Sequence, residues 1–154
     1  MIMKAVQYSH RNGSVVIPGS IIDEVISSLG ESDYLIERYT IGRLRSDFML
    51  GIKKRGWSDN ILLDVESKIS ITSEKLDIGL CLQTGNVSRT YADILKLQTL
   101  FLQDKIKAGI IIVPTSDCAR KYASNSASFE RLVRELGIFS QVITMPIIVV
   151  GFYN

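Results

Sequence analysis

LCLQTGNVS, Leu80 to Ser88, is the stretch on which the reading of this 154-residue chain turns. Leu80 and Leu82 alternate with Cys81 and Gln83, a strand pattern. The alternation breaks at Gly85-Asn86, a turn-forming pair, and Ser88 then stands where it can cap a following helix. A strand that ends by presenting Gln83, Thr84, Asn86 and Ser88 together sets polar groups at a strand end, where loops build sites.

Working outward, Ser88 to Lys105 reads as a helix whose apolar face is Tyr91, Ile94, Leu95, Leu97, Leu100 and Phe101. Gly109 to Val113 is an apolar strand, and Ile147 to Phe152 is the last one. Between them Asp117 to Lys121 and Phe129 to Leu136 are helical, split by Ala123-Ser124-Asn125-Ser126. Upstream, Asn60 to Ile71 and Leu76 to Gln83 read as two strands of a hairpin, with Ser73-Glu74-Lys75 as its turn. Leu35 to Lys54 is a helical run rich in cations, among them Arg38, Arg43, Arg45 and Lys53, and Arg55 follows it. Pro18 opens a helix that runs to Leu29, and Met3 to Tyr8 is a first strand followed by the turn His10 to Gly13. Continuous apolar strands interleaved with helices predict an α/β fold, a three-layer α/β/α sandwich around a central mixed sheet, in a single domain over residues 1–154.

Composition narrows the function classes. The chain is 46% hydrophobic and 22% charged, with a net charge of +2, which is globular and too weakly basic to announce nucleic-acid binding by bulk charge. Its two cysteines, Cys81 and Cys118, and its single histidine, His10, form no zinc-binding pattern. No apolar run approaches a membrane span, and the opening decapeptide lacks the apolar core of a secretory signal, so the expected location is the cytoplasm and no membrane partner is expected. Neither a Walker loop nor a dinucleotide-binding glycine loop is present.

Two constellations can carry chemistry. Asp64, Glu66 and Lys68 are spaced two apart, so on a strand they share one face, as do Cys81 and Gln83 on the next. If the two faces coincide, Asp64 and Glu66 with Gln83 can hold a hard divalent cation through oxygen. The plainer reading of an alternating charged face is a solvated one. The second constellation is the pair of polar breaks. Asn86 and Ser88, and likewise Asn125 and Ser126, can read base edges. Equally, they can simply be turns and helix caps. The Arg43 to Arg55 run is more commonly a solvated helix face than a phosphate track.

Taken in order, these pieces resemble the type II restriction endonucleases of the BglII, BstYI and BamHI group, which have the PD-(D/E)XK nuclease fold. In that group a strand carries Glu, one residue, then Gln or Glu, and one branch continues Thr-Gly-Asn. Gln83-Thr84-Gly85-Asn86 matches the second half. Leu63-Asp64-Val65 lies upstream at a similar spacing. VQYSHRNG, KKRGW, Asp104-Lys105-Ile106 before IIIVP, Ala123 to Ser126 and MPIIVVGF are similar to further segments, so the resemblance covers nearly the whole chain.

The resemblance implies a homodimer on double-stranded DNA that cuts a palindrome with a GATC core using magnesium. Asp64 would be a metal ligand, joined by Glu66 if that residue replaces the missing carboxylate, and Gln83 would hold the third catalytic position. Asn86, Ser88, Arg89, Asn125 and Ser126 would contact DNA. The helix from Ser88 would lie near the dimer interface, and Asp47 is a weaker candidate for an accessory acid. One position departs from the pattern: Cys81 stands where the group has its essential Glu, and a thiol is a poor magnesium ligand. Three readings stay open. The chain is an inactive DNA-binding homologue, or Glu66 has taken over, or Asp64-Val65-Glu66-Ser67-Lys68 is itself the acidic motif with Asp47 upstream.

Overall fold

The computed structural model describes residues 3–154. Five strands form one mixed sheet in the order β1-β7-β6-β5-β4. They are β1 (Lys4–His10), β4 (Ser73–Lys75), β5 (Ile78–Leu82), β6 (Ala108–Pro114) and β7 (Ile147–Tyr153). The three inner strands β5, β6 and β7 run parallel, and each edge strand is antiparallel to its neighbour. The inner strands are apolar without interruption because both their faces are covered. Edge strand β4 is short and polar, a composition that discourages pairing with another chain.

Side chains of the inner strands divide between two cores. Leu80, Leu82, Ile110, Ile112, Val150 and Phe152 face α2 (Gly19–Gly30) and α3 (Ile41–Lys53). Cys81, Ile111, Val113, Ile147 and Val149 face α4 (Val87–Leu102) and α6 (Phe129–Ile138). The connections β5-α4-β6 and β6-α6-β7 step the same way along the sheet. With the usual right-handed crossover both helices fall on one face, leaving the other to α2 and α3. Two short helices complete the set, α1 (Gly13–Val16) after β1 and α5 (Ser116–Arg120) after β6. The expected three-layer sandwich with a mixed sheet is what forms.

Two glycines let α4 lie close to the sheet. A Cβ at Gly79 would stand 2.8 Å from Leu97 Cδ2, and one at Gly109 would stand 3.2 Å from Leu97 Cδ1. Leu97, fully buried, therefore drops into a trough that only glycines leave open.

The segment before β5 differs from expectation. Asn60 to Ile71 is not one strand. It folds on itself as β2 (Ile61–Asp64) and β3 (Ile69–Ile71), a separate two-stranded hairpin with Val65 to Lys68 as its turn. Ser73-Glu74-Lys75, expected as a turn, is β4. The actual turn is Leu76-Asp77, both with positive φ (51° and 61°), the signature of the tight turns whose twist matches a hairpin. Glu66 thus leaves the strand face on which it was expected beside Asp64.

Candidate functional site

Ligand sites in sheets of this kind sit beyond the carboxyl ends of parallel strands. Here that edge carries the loop that follows β5 and the loop that follows α5, the short helix after β6. They are 40 residues apart in sequence but joined by backbone: Asn86 and Ser126 form an isolated antiparallel bridge. Val87 N–H donates to Asn125 O (3.1 Å) and Ala127 N–H to Gly85 O (2.9 Å). The structure therefore brings Asn86, Ser88, Arg89, Asn125 and Ser126 to one edge. The plain reading of Asn86 also holds: its side chain accepts from Arg89 N–H (3.2 Å) and from Ser88 Oγ–H (2.6 Å), capping α4.

Beside these loops lies a cavity of about 340 Å³. Its lining includes Arg45, Thr72, Gln83, Arg89, Asp93 and Lys96. Gln83 is buried and its amide is spent on both sides. Nε2 donates to Asp93 Oδ2 (2.6 Å), and Oε1 accepts from Gly85 N–H (2.8 Å). A Cβ at Gly85 would fall 2.7 Å from Gln83 Oε1 and 2.9 Å from Arg89 Cδ, so any larger residue would displace the Gln83 amide or the Arg89 side chain. Arg45 reaches in from α3 and donates to Leu82 O (2.5 Å), and Lys96 Nζ stands 3.5 Å from Asp93 Oδ1.

Asp93 is the acid that sequence reading missed. It lies on the buried stripe of α4 with Thr90, Ile94 and Leu97. A carboxylate on the apolar face of a helix is the signal that would have found it. Burial pushes its pKa up, against the Gln83 hydrogen bond and the charges of Lys96 and Arg45, which pull it down. Cys81 is buried nearby. Burial first, and the Asp93 charge second, push its thiol far above the ordinary value, so it remains protonated. Thr72 faces it across the sheet: continuing the β4–β5 register by one residue sets Thr72 opposite Cys81, and Thr72 Oγ1 accepts from Leu82 N–H (3.1 Å).

The remaining expected residues lie elsewhere. Asp64 is at the exposed tip of the β2–β3 hairpin, where its carboxylate accepts from Ser67 N–H (2.8 Å) and Ser67 Oγ–H (2.5 Å). Those bonds lower its pKa. Glu66 is exposed in the same turn, and neither residue lines the cavity. Asp47, on α3, accepts from Tyr34 Oη–H (2.7 Å) and is likewise outside it.

The donor set at the cavity does not fit magnesium. Magnesium takes an octahedral shell of oxygens, most of them from water and phosphate, but it needs at least one or two free carboxylates to anchor it. Asp93 is the one carboxylate among the lining residues and is itself bonded to Gln83, the Gln83 carbonyl is already bonded, and Cys81 is buried behind the lining as a neutral thiol. Three cations, Arg45, Arg89 and Lys96, line the same cavity. Among the described residues no group of three or more His, Cys, Asp and Glu side chains is placed to hold a metal ion. No described helix is long and apolar enough to cross a membrane.

A structure of the restriction endonuclease BglII bound to a DNA 16-mer superposes with a TM-score of 0.82 at 13% identity, covering 100% of this chain and 77% of that one. Free BglII superposes with a TM-score of 0.74 at 18% identity, covering 96% and 78%. These likenesses establish a shared fold. No curated protein matches the sequence. The sequence model of restriction endonuclease BglII/BglIII matches residues 5–152, and by that match the chain belongs to the BglII/BglIII restriction endonuclease family.

Proposed function

We propose that this protein binds duplex DNA sequence-specifically and does not cut it by magnesium-assisted hydrolysis. The observation that carries the reading is the cavity below the loop edge: its lining holds a single carboxylate, Asp93, among three cations, and Thr72 lines it while Cys81, opposite Thr72 in the strand register, is buried behind it. Magnesium-assisted hydrolysis needs an ion anchored by free protein carboxylates to activate water and to offset the charge on the phosphodiester. Here the one carboxylate, Asp93, is bonded to Gln83, faces Lys96 and is outnumbered by three cations.

DNA recognition has separate support. Asn86, Ser88, Arg89, Asn125 and Ser126 share one edge, and their side-chain types suit base edges and phosphates. A relative of the same fold has been captured on DNA. A GATC core is the sequence to test first, since Gln83-Thr84-Gly85-Asn86 and Ala123 to Ser126 resemble the group that reads it.

A twofold palindrome calls for a twofold protein. An exposed apolar patch supports a homodimer: Leu95 and Val142 are 60% and 67% exposed, and they border a cavity with Tyr91 and Phe139.

The test is binding and cleavage on the same duplexes. Affinity for GATC-core duplex should exceed that for a scrambled duplex, and should fall linearly with salt on logarithmic axes as counterions are released. No nicking should occur with magnesium or manganese. Metal-dependent nicking that Asp93→Asn abolishes would overturn the silent reading in favour of a nuclease. Equal affinity for both duplexes would remove sequence specificity.

A further inference from the structure

We propose that the cavity at the carboxyl end of β5 grips a phosphate directly on Arg45, Lys96 and Arg89, with no bridging metal ion. The inference extends the DNA-binding reading by assigning this cavity a ligand class, and it takes from that reading only the phosphate's parent, a DNA backbone.

The cations come from two separate elements. Arg45 projects from α3 on one side of the sheet, and Arg89 and Lys96 from α4 on the other. They converge at the strand end, where all three line a cavity of about 340 Å³. Arg45 donates to Leu82 O at the end of β5 (2.5 Å) and Lys96 Nζ stands 3.5 Å from Asp93 Oδ1, so the two cations reach the strand end from the two helical layers. Against these three cations the lining carries one anion, Asp93. A dication entering here meets repulsion, whereas an anion is drawn in.

Geometry leaves the cations only partly committed. Arg45 uses one guanidinium nitrogen on Leu82 O, and a planar fork with further N–H donors suits a phosphate. Lys96 is held loosely at 3.5 Å from Asp93. Asp93, tied at 2.6 Å to Gln83, fixes the polar floor and positions Lys96 rather than binding ligand.

The role of Asp93 gives the test its sign. In a phosphate site Asp93 is a like charge near the ligand, so removing it tightens binding. In a metal site Asp93 is the principal ligand, so removing it abolishes binding. Inorganic phosphate and, separately, manganese chloride would be titrated into the full chain, with amide NMR shifts of Gly85, Arg89 and Lys96 as the readout and chelator present in the phosphate series.

Phosphate is expected to move these amides saturably. Asp93→Asn should tighten it by roughly fivefold, the effect of one like charge a few ångströms away at near-water screening. Arg45→Gln and Lys96→Gln should each weaken it by a similar factor. Trp57 fluorescence would verify that each variant is folded. Manganese broadening of the same amides that Asp93→Asn removes, or phosphate that leaves them unmoved, overturns the proposal. Phosphate binding with no duplex binding would uphold the cavity's ligand class and refute the DNA reading instead.

Discussion

Leu97 is the residue through which α4, and with it Arg89, Asp93 and Lys96, is seated on the sheet. Truncation to Ala at a fully buried leucine removes its transfer free energy and leaves a cavity, together about 3–4 kcal/mol. The trough beneath adds a more specific expectation. Gly79→Ala in the native background places a Cβ 2.8 Å from Leu97 Cδ2, and 3.0 and 3.2 Å from Ile106 and Ile71 methyls, so it overpacks at a cost of about 1–3 kcal/mol. In the Leu97→Ala background the tightest of those contacts is gone. The new methyl then fills part of the vacancy, and the strand loses one of its glycines, worth about 0.4–1 kcal/mol through the unfolded chain.

Gly79→Ala should therefore change from destabilising to neutral or stabilising, with a coupling of roughly 1–3 kcal/mol across the double-mutant cycle. Urea unfolding followed by the single tryptophan, Trp57, buried in the core under α2 and α3, reads all four proteins. If Gly79→Ala costs the same with and without the Leu97 side chain, the trough does not seat α4 and the packing argument fails.

Other expectations follow from the cavity and its surroundings. Asp93 has a pKa raised by burial. A raised carboxyl imposes no penalty below its unfolded value and its full penalty above the folded one. Asp93→Asn should accordingly melt at the same temperature or higher at neutral pH, with the difference closing as pH falls through the carboxylate range. A lower melting temperature at neutral pH would contradict this. Gln83→Ala strips a donor from Asp93 and an acceptor from Gly85 N–H, both in buried surroundings, and should cost about 1–3 kcal/mol in urea unfolding. Thr72→Asp with Cys81→Glu should lower the melting temperature without metal and recover it with manganese, because two new carboxylates then converge with Asp93 to make three. A melting temperature indifferent to manganese would show that these positions do not face one site. Asp64→Ala should lose only the turn cap to Ser67 and leave DNA affinity unchanged, whereas weakened binding would bring the β2–β3 hairpin into the interface.

The sheet and the helices on both its faces were legible because their signals are redundant. The runs Ile110 to Val113 and Ile147 to Val150 are apolar on both faces, which only covered parallel strands sustain. The break at Gly85-Asn86 was legible because turn chemistry and a helix cap coincide there. The hairpins were not. Leu76-Asp77 turns with both residues at positive φ, which Leu adopts only when the surroundings impose it, so no glycine or asparagine announces the turn. Ser73-Glu74-Lys75 looks like a loop but is held as an edge strand by pairing with the apolar β5. That misplacement carried Asp64 and Glu66 towards a site they do not line. Asp93 and Thr72 escaped notice for the opposite reason: each stands alone in sequence and gains meaning only when α4 and the strand pairing bring it to Cys81 and Gln83.

The backbone bridge between Asn86 and Ser126 has an evolutionary consequence. Because the Gly85 to Ser88 loop and the Ser124 to Ala127 loop exchange main-chain hydrogen bonds, they form one mechanical body. Substitutions in the two loops should be epistatic, their combined effect on ligand choice departing from the product of the separate effects. A change of preference in this lineage is then reached by paired replacements across 40 residues of chain, and single replacements mainly loosen the grip.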